Sequence, residues 1–383
     1  MEPYLPNYLK GKNRRLVFDL LRERGQMSRA EITRDTGMSF PTAMKVVDAF
    51  LEKGLLVELD ETGPAAGAGR KGRLLRFEPG AYRAVGVECE GRFARVGLAD
   101  MAGGVQARET IELGDFARTR DLSPLAAAIR RMCAAAKGAP VLGVCIGFPA
   151  NLDPDAAAIV SYAAMDIQQP TSFAQVFPAF WREVELPVYL ENDANLACEG
   201  EAFLRRGAGG AANMLYLSIG SGCGGAVRLD GKLRRGARCR AGEVGAMLLQ
   251  PALGAPGRSA ARETLEDAVC LAALERRFGA ALRDGAQPGE ASAQAMRDYL
   301  CGPLSGAVYS LVMTLDVELC VLAGIVPGAL GMQLCTQVSE ALRAALSEST
   351  PVRVEPSVSA DAGVIGAAAT VFERSLDALL GSG

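Results

Sequence analysis

The chain of 383 residues contains no histidine. Without an imidazole there is no Ser-His-Asp or papain-like Cys-His catalysis, no imidazole metal ligand and no histidine pH switch. Long hydrophobic runs are also missing, since no stretch reaches the roughly 18 uninterrupted apolar residues of a membrane helix. The N-terminus lacks the basic-then-apolar pattern of a secretory signal. These absences predict a cytoplasmic protein with no membrane partner.

Closely paired cysteines are absent as well. The ten cysteines form no C-x-x-C pair and are spread from Cys89 to Cys335, which argues against a zinc ribbon and an iron–sulfur cluster. Several lie in apolar runs, as Cys145 does. This pattern predicts buried, reduced thiols.

The composition does provide for a large core and an uneven charge. Apolar residues make up 49% of the chain and charged residues 22%, and at about 150 residues per domain the length predicts two or three domains. Residues 1–80 hold 14 Lys/Arg and 11 Asp/Glu, whereas the remainder holds 27 and 33. A basic head on an acidic body fits a nucleic-acid-binding module joined to a body that does not bind nucleic acid.

The head has the pattern of a helix-turn-helix. Ser28 and Glu31 predict a capping box at the start of the second helix, and Gly37 predicts a turn with positive φ. We expect Ser39 to cap the third helix, with Pro41 tolerated in its first turn. The apolar stripes predicted to be buried are Leu16, Val17, Leu20 and Leu21 in the first helix, Asn13–Arg24, and Val46, Val47, Phe50 and Leu51 in the third, which ends at Gly54.

Two strands after the third helix predict a wing. They run over Leu55–Leu59 and Arg73–Phe77, with a flexible loop between them that ends in basic residues. The third helix would enter the major groove, and the wing would reach phosphates or the minor groove. The alternative is a helical protein-interaction module whose basic loop is only solvated. The predicted DNA-binding residues are Ser39, Phe40, Thr42 and Lys45 on the helix, and Arg70, Lys71 and Arg73 on the wing.

The body alternates strands with helices, which predicts an α/β architecture with two lobes and a cleft. Strands are predicted at 84–87, 94–98, 141–146, 188–190, 214–219, 225–228, 319–322 and 352–354. Helices are predicted at 124–136, 193–204, 261–278, 291–317, 331–347 and 362–379.

Three short segments of the body are candidate binding sites. The glycines in Leu217–Ala226 would let amides approach an oxyanion, although a ligand-free glycine hairpin is the alternative. In Glu191–Asn195, Asp193 can accept a proton from a hydroxyl and Asn192 can bond a neighbouring one, or either residue simply caps a helix. Glu243 is a third candidate hydroxyl acceptor. The loop residues concerned are Gly220, Ser221, Gly222, Gly224 and Gly225.

Together these segments resemble the ROK family of repressors, open reading frames and sugar kinases, and its repressor branch in particular. The resemblance is carried by Ser28–Gly37, Gly69–Leu75, Glu191–Asn195, Gly220–Gly245, Leu322–Val326 and Asp361–Ala368. It implies an N-terminal winged helix-turn-helix followed by a two-lobed actin-like (ribonuclease H-like) sugar-kinase fold. The domains would be the head, 1–80, a first lobe, 81–190 with the C-terminal helix 361–380, and a second lobe, 191–360.

The resemblance also implies partners and sites. Family repressors bind operator DNA as dimers or higher oligomers and respond to a sugar, so we expect operator DNA, a sugar or sugar-phosphate effector, and a homodimer or homotetramer. Asn192, Asp193 and Glu243 would bind the effector, and the loop 220–225 would be a vestigial phosphate loop.

Departures from the family pattern argue against catalysis. Glu88 replaces the Asp of the first phosphate hairpin, and Glu90 stands where a Gly lets phosphate approach, so its carboxylate would repel ATP unless magnesium or Arg92 offset the charge. Ala246 replaces the family His that contacts sugar and zinc, and Pro251–Arg262 lacks the zinc cysteines. We therefore predict no zinc, no ATP or magnesium, and no catalytic residue. The resemblance implies that the family's acidic residue beyond that region corresponds to Glu263 or Glu266.

Three functions remain in view. The first is a DNA-binding transcriptional regulator, with repression favoured, whose kinase-like body senses a sugar without phosphorylating it. The second is an active sugar kinase with a DNA-binding head, in which Asp193 is the general base. The third is a regulator that has lost sugar binding.

Overall fold

The computed structural model describes residues 6–62, 73–206, 210–249, 263–279, 282, 287–346 and 351–380. Arg70, Lys71 and the segment predicted to lack zinc ligands lie outside these ranges.

The head is a three-helix unit with a three-stranded sheet. Its elements are α1 (Pro6–Arg24), β1 (Gln26–Ser28), α2 (Arg29–Thr36), α3 (Phe40–Glu52), β2 (Leu56–Thr62) and β3 (Arg73–Phe77). The capping box of Ser28 and Glu31 starts α2, and Gly37, with φ of 67°, ends it. Strand β3 pairs antiparallel with both β1 and β2. The helix-turn-helix and the strand pairing of the wing are therefore confirmed.

Three details of the head differ from the prediction. Leu16 is 44% exposed, and Phe18 is buried in its place beside Val17 and Leu21, so the buried face of α1 is rotated from the predicted one. Leu20 and Leu51 are only half-buried. Ser39 occupies the N-cap position of α3, but its hydroxyl makes no cap bond; it lies 2.8 Å from the hydroxyl of Thr42.

The strands of the body follow in chain order. They are β4 (Arg83–Glu90), β5 (Phe93–Asp100), β6 (Val105–Glu112), β7 (Val141–Phe148), β8 (Asn151–Asp153), β9 (Ala158–Ser161), β10 (Thr171–Ser172), β11 (Val188–Asn192), β12 (Met214–Ile219), β13 (Cys223–Leu229), β14 (Lys232–Leu233), β15 (Leu319–Ala323) and β16 (Arg353–Pro356).

The helices of the body fill the intervals. They are α4 (Phe116–Thr119), α5 (Ser123–Ala135), α6 (Phe173–Val176), α7 (Pro178–Glu183), α8 (Asp193–Leu204), α9 (Leu265–Val269), α10 (Leu271–Phe278), α11 (Glu290–Leu315), α12 (Ile325–Leu330), α13 (Met332–Ala345) and α14 (Ala362–Leu379). None of the helices in the described ranges is both long and apolar enough to cross a membrane.

Two five-stranded sheets with the same topology form the body. Their strand orders are β6-β5-β4-β7-β11 and β14-β13-β12-β15-β16. In each sheet the first strand along the chain pairs antiparallel with the second and parallel with the fourth. A small sheet of β8, β9 and β10 lies beside the first. The α/β prediction is thereby confirmed, while the boundaries drawn at residues 80, 190 and 360 stay predictions.

Sequence reasoning missed some body elements. Strand β6 alternates half-buried with exposed residues and is rich in polar side chains, so it has no apolar run. The strands of the small sheet have only two to four residues each. The single helix predicted at 261–278 is wrong, because the chain is extended at Cys270 and separates α9 from α10.

Two helices, α8 and α14, pack with their backbones in contact. A Cβ on Gly200 would lie 1.8 Å from the carbonyl oxygen of Ala362, and one on Gly366 would lie 1.9 Å from that of Leu196. Gly86 of β4 is equally close to the carbonyl of Val364, at 2.0 Å. Helix α14 is therefore fixed against α8 and against the first sheet.

Candidate functional site

A cleft of about 950 Å³ lies between the two sheets. The hairpin β4–β5, the hairpin β8–β9, the start of α8, the loop between β12 and β13, and α9 all contribute to its wall. It brings together most of the predicted body residues. The wall includes Asn192, Asp193, Glu243, Gly220, Ser221, Gly222 and Gly224, but not Gly225.

Asp193 and Asn192 stand where β11 ends and α8 begins. The Asp193 carboxylate accepts the amide N–H of Ala194 at 2.9 Å, and burial raises its pKa to about 6. The Asn192 side chain accepts the amide N–H of Asn195 at 3.1 Å and thereby caps α8. Hydroxyl binding and helix capping were alternatives on sequence; Asn192 caps the helix and also lines the cleft, where a hydroxyl could reach it.

Glu243 is held at the cleft by a tight turn. Gly242 has φ of 94°, and a Cβ on Gly245 would lie 2.1 Å from the carbonyl oxygen of Cys223, so this turn requires both glycines. Desolvation raises the pKa of Glu243. With its amide nitrogen facing Glu243, Asn151 donates to the Glu243 carboxylate at 2.7 Å and accepts from the Ser161 hydroxyl at 3.0 Å.

Carboxylates of the chain itself lie against the glycine loop. Glu266 accepts the amide N–H of Cys223 at 2.8 Å, and a Cβ on Gly222 would lie 2.9 Å from the same carboxylate oxygen. A Cβ on Gly220 would lie 3.0 Å from Oε1 of Glu90. The loop therefore does bring its backbone close to an oxyanion, and the oxyanion belongs to the protein.

Of the two acidic residues considered for the family position beyond the segment 251–262, only Glu266 lines this cleft. Glu263 faces a separate groove of about 530 Å³ beside α11.

The first hairpin adds two more carboxylates. Glu88 and Glu90 share the guanidinium of Arg95, at 3.0 and 3.5 Å. Burial nevertheless raises the pKa of Glu88 to about 7, and the charges of Glu90 and Asp193 act in the same direction, whereas Arg95 opposes them. Arg92, which sequence reasoning considered as the compensating cation, pairs with Glu112 instead.

Polar contacts also join the two sides of the cleft. Arg235 donates to Glu191 at 2.6 Å, and Arg240 reaches the Ser161 hydroxyl at 3.5 Å. These residues and Asn151 were missed from sequence. Asn151 follows the end of parallel strand β7, where α/β sheets bind ligands, so its position was a usable signal; Arg235 and Arg240 gave none.

The predicted DNA-binding residues that the structure describes lie at the surface of the head. Ser39, Phe40 and Lys45 are exposed, and Thr42 is half-buried. Phe40 is 57% exposed. Arg73 is exposed and lies 3.6 Å from Glu58 of β2, so its charge is partly compensated within the wing.

Comparison with known proteins decides the family. The model of the ROK family matches residues 84–374, which is well over half of the chain. The chain belongs to the ROK family. Among curated ROK relatives, the xylose repressor of Caldicellulosiruptor bescii is 27% identical over 241 residues, covering 62% of this chain and 58% of that protein. The glucokinase of Halalkalibacterium halodurans is 40% identical over 96 residues, covering 24% and 28%.

This ROK chain spans less than two thirds of the length of the first curated relatives it matches. Solved structures cover more of it. A ROK family transcriptional regulator, a homologue of the Escherichia coli MLC protein, superposes with a TM-score of 0.76 at 17% identity over 97% of this chain and 98% of that one. The ROK hexokinase of Thermus thermophilus gives 0.59 at 25% identity over 76% and 98%. The two-lobed actin-like fold behind a winged head is thereby confirmed.

The zinc ion implied by the family does not fit this chain. Zinc in a structural site needs thiolate or imidazole ligands at close spacing, and residues 245–262 contain neither cysteine nor histidine. Within the described residues, no three acidic or cysteine side chains converge as a metal site would require.

Proposed function

We propose that this ROK protein is a DNA-binding transcriptional regulator, acting as a repressor, whose kinase-like body senses a sugar or sugar derivative without phosphorylating it. The winged head and the similarity to xylose repressors support DNA binding. The family membership and the polar cleft support a sugar effector.

The observation that carries the non-catalytic part is the filled glycine loop. Glu266 takes a loop amide that would face a phosphate, and Glu90 lies beside Gly220. A phosphate placed there meets two carboxylates, and two like charges about 4 Å apart cost on the order of 4 kcal/mol at an effective dielectric near 20. Because ATP carries several negative charges, the loop is a poor nucleotide site, and we propose no cofactor, zinc or magnesium.

The cleft residues suit hydroxyl recognition. Asn192, Asp193, Glu243 and Asn151 offer amides and carboxylates around one space, the mixture that orients a polyhydroxylated ligand. A ligand that binds one arrangement of the lobes better than another would increase the population of that arrangement, and with it the matching position of the head. The protein would act in the cytoplasm on operator DNA as a homodimer or homotetramer, with Ser39, Phe40, Thr42, Lys45, Arg70, Lys71 and Arg73 at the DNA.

Two measurements test this proposal. In the first, ATP, magnesium and a panel of sugars including D-xylose, D-glucose and N-acetylmannosamine are incubated with the protein. We expect no phosphorylation above a protein-free control. Turnover that disappears in Asp193→Asn would overturn the non-catalytic assignment.

In the second, duplexes are selected from a random DNA library, and their affinity is measured with and without each sugar. We expect a selected sequence, a salt-dependent affinity and a change in affinity caused by at least one sugar. Failure to select any duplex would exclude DNA binding. If no sugar stabilises the protein in a thermal-shift series, the body has lost sensing.

One observation favours an active sugar kinase as second candidate. The pKa of Asp193 near 6 suits a general base that works at neutral pH. The carboxylates at the loop oppose it, and the turnover assay separates the two candidates.

A further inference from the structure

The connection between cleft and head is made by the helix pair α8 and α14. Helix α8 starts at the cleft with Asp193 and runs for 12 residues, about 18 Å, toward α1. Helix α14 also starts at the cleft, because a Cβ on Gly363 would lie 2.3 Å from the carboxyl carbon of Glu88. Both helices therefore point from the cleft toward the DNA-binding head.

The two helices cannot slide past each other. Gly200 lies against the backbone of Ala362, and Gly366 against that of Leu196. With no side chain between them, a displacement of one helix displaces the other, because packed interiors have no slack to absorb it.

At their C-terminal ends, away from the cleft, both helices contact α1 of the head. The Arg22 guanidinium lies between the rings of Phe18 and Phe203, at 5.2 and 4.8 Å from their centroids. From α14, Glu373 pairs with Arg15 at 2.7 Å. Just beyond α14, the carbonyl of Leu380 accepts from Arg14 at 2.9 Å.

The Arg22 side chain is deeply buried and has few polar partners. Its side chain is 3% exposed, and it pairs with Asp19 at 2.8 Å through one nitrogen. Its Nε and Nη1 have no hydrogen-bond partner among the described residues. Besides its one ion pair, this buried guanidinium lies over two aromatic rings, and it is therefore sensitive to the position of Phe203, because the cation–π attraction depends on the ring lying beneath the charge.

We propose that α8 and α14 form one rigid strut that passes a change in the cleft to the head, with Phe203 and Arg22 as its positioning residues. This inference rests on the proposed function only for what the cleft binds and what the head does. A spatial path alone is not coupling, so the test measures coupling directly.

The test is a double-mutant cycle read by hydrogen exchange. Asp193→Asn perturbs the cleft end, and Phe203→Ala breaks the head end; amide exchange is followed over α1. We expect Asp193→Asn to change exchange in α1 at least about threefold in the parent chain, and to leave it unchanged in the Phe203→Ala background. Phe278→Ala is the matched control, since Phe278 is also half-buried beneath an arginine, Arg277, but lies in the second lobe.

Two results would overturn the strut. One is an α1 that does not respond to Asp193→Asn in the parent chain, and the other is a response that survives Phe203→Ala at full size. If Phe203→Ala does not fold, Phe203→Leu keeps an apolar side chain and removes the aromatic face.

A second readout separates this inference from the proposed function. The affinity for the duplex selected from the random library is measured in the same four chains. We expect Asp193→Asn to change this affinity in the parent chain and to leave it unchanged in the Phe203 variants. If Asp193→Asn changes exchange in α1 only when Phe203 is present, but no duplex is selected, the strut is supported and DNA binding is refuted. If a duplex is selected, but exchange in α1 does not depend on Phe203 in this way, DNA binding is supported and the strut is refuted.

Discussion

The hairpins β4–β5 and β12–β13 occupy the same place in two sheets of identical strand order, yet they present opposite chemistry to the cleft. The first presents the carboxylates of Glu88 and Glu90, and the second presents a glycine loop. Glu90 lies beside Gly220 of the other hairpin. The same strand arrangement, present twice, thus supplies both a glycine loop and a carboxylate placed against it.

The glycines of the two hairpins also have different roles. Gly86 in the first hairpin touches the backbone of Val364, whereas Gly220 in the second touches the end of a flexible side chain. Gly86 allows close packing of α14 in the core, whereas Gly220 leaves space for the Glu90 side chain at the cleft.

The largest effect is expected for Gly86→Ala. Its Cβ would lie 2.0 Å from a backbone oxygen of α14, so the helix must move, at a cost of about 3 kcal/mol or more. Urea unfolding measures the loss. Gly306→Ala is the control, since a Cβ there meets nothing within 4 Å and an alanine inside helix α11 should stabilise by about 0.5–1 kcal/mol. Equal effects of the two substitutions would contradict this account.

Glu88→Gln should stabilise the protein above neutral pH. Because burial raises the pKa of Glu88 to about 7 from 4.5, its charge opposes folding at pH 8 and not at pH 4.5. The variant should therefore gain on the order of 2 kcal/mol at pH 8, a gain that shrinks as the pH falls through 7. Melting curves between pH 4.5 and 8 check this. A stability gain that does not depend on pH would show that Glu88→Gln acts through packing and not through removal of a charge.

Removing both carboxylates from the glycine loop should create anion binding. In Glu90→Gly combined with Glu266→Ala, we expect affinity for tripolyphosphate to rise at least about tenfold, because the repulsion of two charges is relieved. Titration calorimetry measures it, and Glu263→Ala, outside the cleft, is the control. An unchanged affinity would show that the loop geometry, and not the carboxylates, excludes phosphate.

Gly220→Ala should have the smallest effect. Its Cβ would lie 3.0 Å from Oε1 of Glu90, and a side-chain end can rotate away, so we expect a loss below about 1 kcal/mol. Urea unfolding again measures it. A loss as large as that of Gly86→Ala would mean that Glu90 is held rigidly by Arg95.

Sequence reasoning predicts the fold where patterns are local. The capping box at Ser28, strand β12 and helix α8 have the expected bounds, because caps and apolar periodicity depend on nearby residues. It fails at β6, whose half-polar face shows no apolar run, and at Cys270, where an extended residue breaks an otherwise helical stretch.

The same limit applies to the site. Asp193 and Glu243 stand out from their immediate neighbours, and the structure places both in the cleft. The choice of Glu266 over Glu263 depends on the course of α9 after the tight turn at Gly242, which no local pattern reveals. The pairing of Arg95, and not Arg92, with Glu88 depends on strand register, since Glu88 lies directly opposite Arg95.

The contact between α14 and β4 has a consequence for how the chain is made. Residues of α14 complete a core that already contains parts of α1 and of the first sheet. The last strand of the first sheet, β11, ends at Asn192, which is 170 positions before α14 begins at Ala362, and at 5–20 residues per second this stretch takes about 9–34 s to synthesise. During that time the head and the first sheet exist on the ribosome with an apolar face uncovered. Completion of this core therefore waits for a helix that is translated long after the head.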